Sequence, residues 1–252
     1  MSLQEISNNI WENVITNCDN LFKRCGMKKI IFCIPGRTFS DNFLKSWTEL
    51  VQYSKHVEIT LINRYSSNVY YARNLCLGGD NLAGIHQKPF QGKLDYDYLM
   101  WIDSDMVFTY QQVERLIAIL EGYKEVNIIS GIYPMENKID FATVVNWDLD
   151  FFRKYGRFQF LTKHDLDFYK DQIIEVAYTG FGFILIKKGV VESMEYPWFR
   201  PIWEEFDLPD GTHIKDYTSE DVGFCRTAIS LGHKIFVDPS LIIGHEKSQV
   251  LR

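Results

Sequence analysis

Short unbroken apolar runs alternate, in the first half of the chain, with segments whose apolar residues recur every three or four positions. Residues 29–34, 98–102 and 126–130 have the length and composition of strands buried on both faces, and residues 57–62 form a further strand. Between them the period changes to that of helices. One places Phe43, Leu44, Trp47, Leu50 and Val51 on a single face. A short one spans residues 67–77 and is stopped by Gly78-Gly79, and a third spans residues 111–120 with Val113, Leu116, Ile117 and Leu120 inward. Strand–helix–strand alternation with short turns predicts an α/β domain on a parallel sheet. Residues 3–24 carry Ile6, Ile10, Val14, Cys18 and Leu21 at helical spacing and predict an amphipathic helix.

After Gly131 the rhythm is different. Residues 141–145 and 173–178 are strand-like and flank an aromatic, charged insertion, 147–169. Residues 179–186 read as a glycine-hinged turn into a buried strand, and 187–194 as the start of a short helix. Residues 195–217 hold three prolines and predict a loop. Its Trp198, Phe199, Trp203 and Phe206 suit either stacking on sugar rings or plugging the core. Ser219 is placed to cap a helix running to Leu231, with Glu220 and Asp221 in the first turn where the helix dipole favours them. A strand at 233–237, a turn at Asp238-Pro239 and an apolar run ending at His245 complete the reading.

The chemistry concentrates where the run Tyr98-Leu99-Met100-Trp101-Ile102 stops at Asp103-Ser104-Asp105. Carboxylates are costly to bury unpaired, so these two belong at the carboxyl end of the strand. That edge of an open α/β sheet is where ligands bind. Two carboxylates on a turning chain can share a divalent cation, and Mg²⁺ and Mn²⁺ take carboxylate, phosphate and water oxygens. A metal–diphosphate seat and a plain polar strand exit fit the tripeptide equally well. Gly36, after the first strand, lets backbone approach a ligand, and Arg37 beside it can meet a phosphate.

Composition narrows the classes. The chain has 252 residues, enough for one large α/β domain, with 46% hydrophobic and 24% charged residues, the balance of a soluble globular protein. A net charge of −6 argues against a general nucleic-acid surface. The five cysteines include no C-x-x-C pair, which predicts free thiols in a reducing, cytoplasmic setting. The opening MSLQEISNNIWENV has no basic region followed by an apolar core and predicts no signal peptide. No apolar stretch approaches the roughly 18 residues of a membrane span.

Taken in order, the strand ending in IPGR, Asn63 after the second strand, Ala72-Arg73-Asn74, the Asp103-Ser104-Asp105 DxD element, TGFGFILIKK, Ser219-Glu220-Asp221 and IFVDPSLIIGH resemble a small GT-A glycosyltransferase. The likeness is to family-2-like enzymes, including compact ones of large DNA viruses and phages, and covers residues 29–245. It implies a single GT-A domain over 1–252: a mixed, mostly parallel sheet flanked by helices, with an N-terminal helix within 1–28, a nucleotide-binding half at about 29–131 and an acceptor and catalytic half at about 132–245. It implies transfer of a sugar from a nucleotide diphosphate, UDP first and GDP second, to a hydroxyl acceptor, with Mn²⁺ or Mg²⁺; one external base predicts inversion, while GT-A enzymes of both stereochemistries share the metal site.

Residue by residue, the resemblance makes Asp105 and His245 metal ligands, and gives Asp103 the ribose and the metal. Pro35, Gly36, Arg37, Asn63 and Ser104 would line the nucleotide pocket. Arg73 would approach the diphosphate or the DxD loop, and Gly180 and Gly182 would admit the donor sugar. Asp221, with Glu220 second, would be the catalytic base, and Trp203 and Trp198 would face the acceptor. The acceptor motif of longer family members has no clear equivalent here. The rival readings are a sugar nucleotidyltransferase, for which Gly36 alone is a poor phosphate loop, and a non-catalytic nucleotide-sugar-binding module.

Overall fold

A computed structural model of the chain describes residues 26–169 and 172–247. The expected helix over residues 3–24 lies outside the described residues. The strands are β1 (Lys28–Pro35), β2 (Val57–Arg64), β3 (Tyr98–Ile102), β4 (Met106–Val107), β5 (Ile128–Ile132), β6 (Thr143–Val144), β7 (Ile174–Val176), β8 (Tyr178–Thr179), β9 (Phe183–Lys187), β10 (Trp203–Asp207), β11 (His213–Tyr217), β12 (Ile235–Ile242) and β13 (Gly244–His245). The helices are α1 (Asp41–Tyr53), α2 (Val69–Cys76), α3 (Tyr110–Gly122), α4 (Leu149–Tyr155) and α5 (Glu220–Ser230).

Seven strands form the main sheet in the order β2-β1-β3-β9-β5-β12-β7. β1 is parallel to β2 and β3, and β5 to β12, while β9 is antiparallel to both β3 and β5, and β7 to β12. Thus β1, β2, β3, β5 and β12 run one way, β7 and β9 the other. This mixed, mostly parallel, helix-flanked single domain is the architecture that the GT-A resemblance implied.

Because side chains alternate across a strand, the continuous apolar runs feed two cores at once. Ile30, Phe32, Tyr98, Met100 and Ile102 face a core completed by α1 and α3. Ile31, Cys33, Leu99 and Trp101 face another, completed by α2, α5 and the aromatic residues Phe181, Trp198 and Phe199. On α1 the buried positions are Phe43, Ser46 and Leu50, with Trp47 half-buried against Phe32. Leu44 and Val51, expected on the inner face, are exposed. The helix is rotated toward Ser46, whose hydroxyl accepts the Phe108 amide at 3.0 Å.

Three further expectations are corrected. Residues 187–194 give one 3₁₀ turn, Val191–Ser193, rather than an α-helix. Asp238-Pro239 does not turn: β12 runs through it to Ile242, and a register shift after Asp238 absorbs the proline. The 195–217 stretch is half hairpin, with β10 and β11 antiparallel and Phe206 opposite Ile214. The Pro209-Asp210-Gly211 turn, with Gly211 at φ 84°, closes it.

Candidate functional site

The carboxyl ends of the parallel strands and the amino end of β9 meet at one sheet edge. β1 delivers Pro35-Gly36 there, β2 Asn63, β3 Asp103, β5 Tyr133, and β9 is preceded by Gly180 and Gly182. The amide of Asp103 donates to the Gly182 carbonyl at 3.0 Å, so the DxD turn is stitched to the glycine-rich turn. Gly36 sits against the same turn. A Cβ there would meet Ser104 Cβ at 2.6 Å, which is why the position is glycine.

His245 arrives by a separate device. β13 pairs antiparallel with β4, His245 opposite Met106. That register puts His245 Nε2 3.1 Å from Asp105 Oδ2. Its Nδ1 lies 2.8 Å from the Pro134 carbonyl. A carbonyl only accepts, so Nδ1 carries the hydrogen and Nε2 is the nitrogen turned to the carboxylate. The tie is the kind of outer contact that fixes a ligating imidazole. Lys247 Nζ also reaches Asp105 Oδ2, at 2.7 Å. Burial raises the Asp105 carboxyl, but the hydrogen bonds from His245 and Lys247 outweigh it and hold the group at about 2. Burial lowers the His245 imidazole, and its bonds to Asp105 and the Pro134 carbonyl outweigh that and raise it.

Asp103 is turned elsewhere. Arg73, buried in α2, donates from Nη2 to Asp103 at 3.1 Å and from Nε to Glu220 at 3.2 Å. Its guanidinium lies 5.3 to 5.9 Å from the rings of Phe181, Trp101 and Phe199. Burial raises the Glu220 carboxyl, and Arg73 pulls it back. Among the described residues, no three His, Cys, Asp or Glu side chains gather as a metal-holding group. Of the expected trio the structure brings Asp105 and His245 into contact, while Asp103 gives one oxygen to Arg73 and keeps the other, Oδ1, without a hydrogen-bond partner among the described residues. Two protein ligands still fit Mg²⁺ or Mn²⁺, which keep waters and substrate phosphates for the remaining positions.

Asp221 opens α5 after Ser219, which occupies the N-cap position without making a side-chain capping bond. One oxygen of Asp221 accepts the Tyr178 hydroxyl at 2.8 Å, the other the Val222 amide at 2.8 Å. Of the expected pocket residues, Asn63 spends its amide hydrogens on the Ile34 and Gly36 carbonyls at 2.7 and 3.0 Å. The Arg37 guanidinium stands 5.7 Å over the exposed Tyr65 ring. Trp203 is exposed on the hairpin. Trp198 is only 2% exposed and packs within the core, so it offers no acceptor surface, contrary to expectation.

Tyr133, Tyr178 and Lys247 were not singled out from sequence. Tyr133 follows β5 directly, so the strand-end logic that flagged Asp103 reaches it too. Its hydroxyl accepts the Gly182 amide at 3.3 Å, and its ring meets that of His245 edge-on at 5.2 Å. A Cβ at Gly180 would lie 1.9 Å from the Tyr133 hydroxyl. Gly180→Ala is accordingly expected to lower stability by about 1–3 kcal/mol through overpacking. An unchanged urea midpoint would show that Tyr133 is free to move aside.

No protein-family profile and no curated protein sequence matches the chain. Solved structures do. The crystal structure of A197 from STIV superposes with a TM-score of 0.51 at 19% identity, over 88% of this chain and 87% of that one. The chain has the fold of A197. More distant are glucosyl-3-phosphoglycerate synthase from Mycobacterium tuberculosis, solved with Mn²⁺, UDP and glucosyl-3-phosphoglycerate, and the mannosyltransferase PcManGT from Pyrobaculum calidifontis, solved with GDP-Man and Mn²⁺. Their TM-scores are 0.45 and 0.44, at 12% and 8% identity. They cover 92% and 97% of this chain, and 77% and 68% of their own.

Proposed function

We propose that the protein is a metal-dependent glycosyltransferase. It moves a sugar from a nucleotide diphosphate, UDP first and GDP second, to a hydroxyl acceptor. The observation that carries this is the Asp105–His245 pair, its imidazole locked by the Pro134 carbonyl, at the sheet edge that also holds Asp103 and Asp221. A divalent cation bound there would supply Lewis-acid stabilisation of the leaving diphosphate.

The chain's own residues do the rest. Lys247, which now meets Asp105, and Arg37 bring positive charge to an edge otherwise rich in carboxylates. The space beside Gly180 and Gly182, expected to admit the donor sugar, is filled by Tyr133 and Met106, and the glycines instead let the Tyr133 ring lie against His245. The acceptor oxygen attacks the anomeric carbon as the bond to diphosphate breaks, through an oxocarbenium-like transition state. Asp221 takes the acceptor's proton, and Tyr178 keeps that carboxylate oriented. One base outside the donor supports a single displacement, hence inversion, which NMR of the product's anomeric proton tests. Cys33, Cys76 and Cys225 are free and buried, which supports residence in a reducing cytoplasm. No helix among the described residues is long and apolar enough to cross a membrane.

Calorimetric titration of UDP and GDP with and without Mn²⁺ tests the metal seat. Removing Mn²⁺, or making Asp105→Ala, is expected to weaken UDP binding by about tenfold or more, as losses around metal sites do. Equal affinity in all three conditions overturns the assignment.

A further inference from the structure

Two adjoining clefts lie beside Asp221. The larger, about 370 Å³, lies between α4 and the β10–β11 hairpin. The smaller, about 160 Å³, shares Phe152, Phe158, Glu204 and Phe206 with it and reaches Tyr178 and Ser219. Of their lining residues, the proposed transfer uses only Tyr178. Its hydroxyl holds Asp221, and from its ring an aromatic series leads outward. Tyr178 lies 6.3 Å from Trp147, Trp147 4.5 Å from Phe158, Phe158 4.9 Å from Phe152 and Phe152 5.3 Å from Phe206. The insertion and the hairpin that the sequence marks as aromatic thus converge on a single wall.

The polar lining is selective. Trp147 Nε1 and Arg226 Nε are buried and have no hydrogen-bond partner among the described residues. Both nitrogens are closed off from solvent, with the Arg226 guanidinium 4.5 Å over the Trp147 ring, so the groups open to a ligand are the ring faces and the carboxylates of the lining. Asp148, Glu204, Glu205 and Asp216 line the clefts, with Arg226 paired to Glu204 and Lys215, 4.6 Å over the Trp203 ring, paired to Glu205, so acidic side chains outnumber the basic ones that reach them. An anionic ligand meets like charge there. A ligand with an apolar ring face and neutral hydroxyls meets aromatic rings and carboxylate oxygens that accept from its hydroxyls.

We infer that this cleft is the acceptor subsite and that the acceptor is a neutral saccharide. The inference rests on the glycosyl-transfer reading, which makes Asp221 the destination of the acceptor hydroxyl. It names the chemical class of acceptor and sets aside phosphorylated and carboxylated ones.

Saturation-transfer NMR on the full chain, with diamagnetic Mg²⁺ and UDP present, tests it. The probes are maltose, cellobiose, lactose and mannobiose, with glucuronate and glycerol 3-phosphate as anionic comparators. At least one neutral disaccharide is expected to receive saturation, and the two anions none. Phe206→Ala is expected to weaken that binding about tenfold through lost apolar burial. Trp147→Leu, which removes an aromatic ring from the lining, is expected to weaken it about fivefold through lost ring contact. The exposed Trp203→Ala is a third variant should Phe206→Ala not fold. No binding of any neutral disaccharide, preference for an anion, or wild-type affinity in the variants overturns the inference. UDP binding is read in the same samples. Its absence in the wild type counts against the donor site alone, and the saccharide signal is judged separately.

Discussion

Asp221→Asn is expected to lower the turnover of sugar transfer by about 10²–10⁴-fold, the range for removing a positioned base. Asparagine keeps the shape, and its carbonyl oxygen still accepts a hydrogen bond, but it cannot take a proton. Nucleotide binding with Mn²⁺ should therefore persist while kcat falls. Glu220 is poorly placed to substitute, because Arg73 holds its carboxylate inside the protein. Release of UDP from a panel of UDP-sugars, measured with Mn²⁺ and a neutral disaccharide, reads the effect. Wild-type release by the variant removes Asp221 from the chemistry. Metal-dependent UDP binding with no release from the wild type favours the non-catalytic module.

Arg73→Ala should destabilise the fold by about 2–4 kcal/mol, because it leaves the buried Glu220 and the half-buried Asp103 without their partner. The guanidinium side chain is 4% exposed, and it joins Asp103 on β3's exit to Glu220 on α5. One cation thus ties the turn carrying Asp105 to the helix carrying Asp221. Arg73→Lys should recover only part of the loss, since an ammonium cannot span both carboxylates as the planar fork does. The urea midpoint measures both variants. A midpoint like the wild type's for Arg73→Ala would mean that Asp103 and Glu220 are easily rehydrated.

What the sequence disclosed follows from strand ends. Asp103 and His245 each close an apolar run, and burial cost alone puts them at an edge. The helices on β1's side were legible because three or four apolar positions recur in phase. Ser46 on α1 broke that phase, since its burial depends on a hydrogen bond to Phe108, distant in the chain. Trp198 and Trp203 lie in one proline-rich stretch with no period to separate them. Packing sends the first into the core and the second onto the hairpin. The hairpin itself had a local signal, the Pro209-Asp210-Gly211 turn, obscured by the charged residues of its strands. Tyr178 carries no signal: a tyrosine in a strand-like segment reads as core until Asp221 is brought beside it.

The placement of β9 bears on how the chain is made. β3 and β5 do not pair with each other; each pairs with β9, which is translated after both. A nascent chain halted before Phe183 therefore leaves β3 with one bare edge and β5 with no sheet neighbour at all, since β9 and β12 both follow, the condition under which ribosome-bound chains recruit chaperones or clump. Fragments split in the 132–182 region should fail singly and succeed when co-expressed, the later piece supplying β9 between β3 and β5 and β12 on the far side of β5.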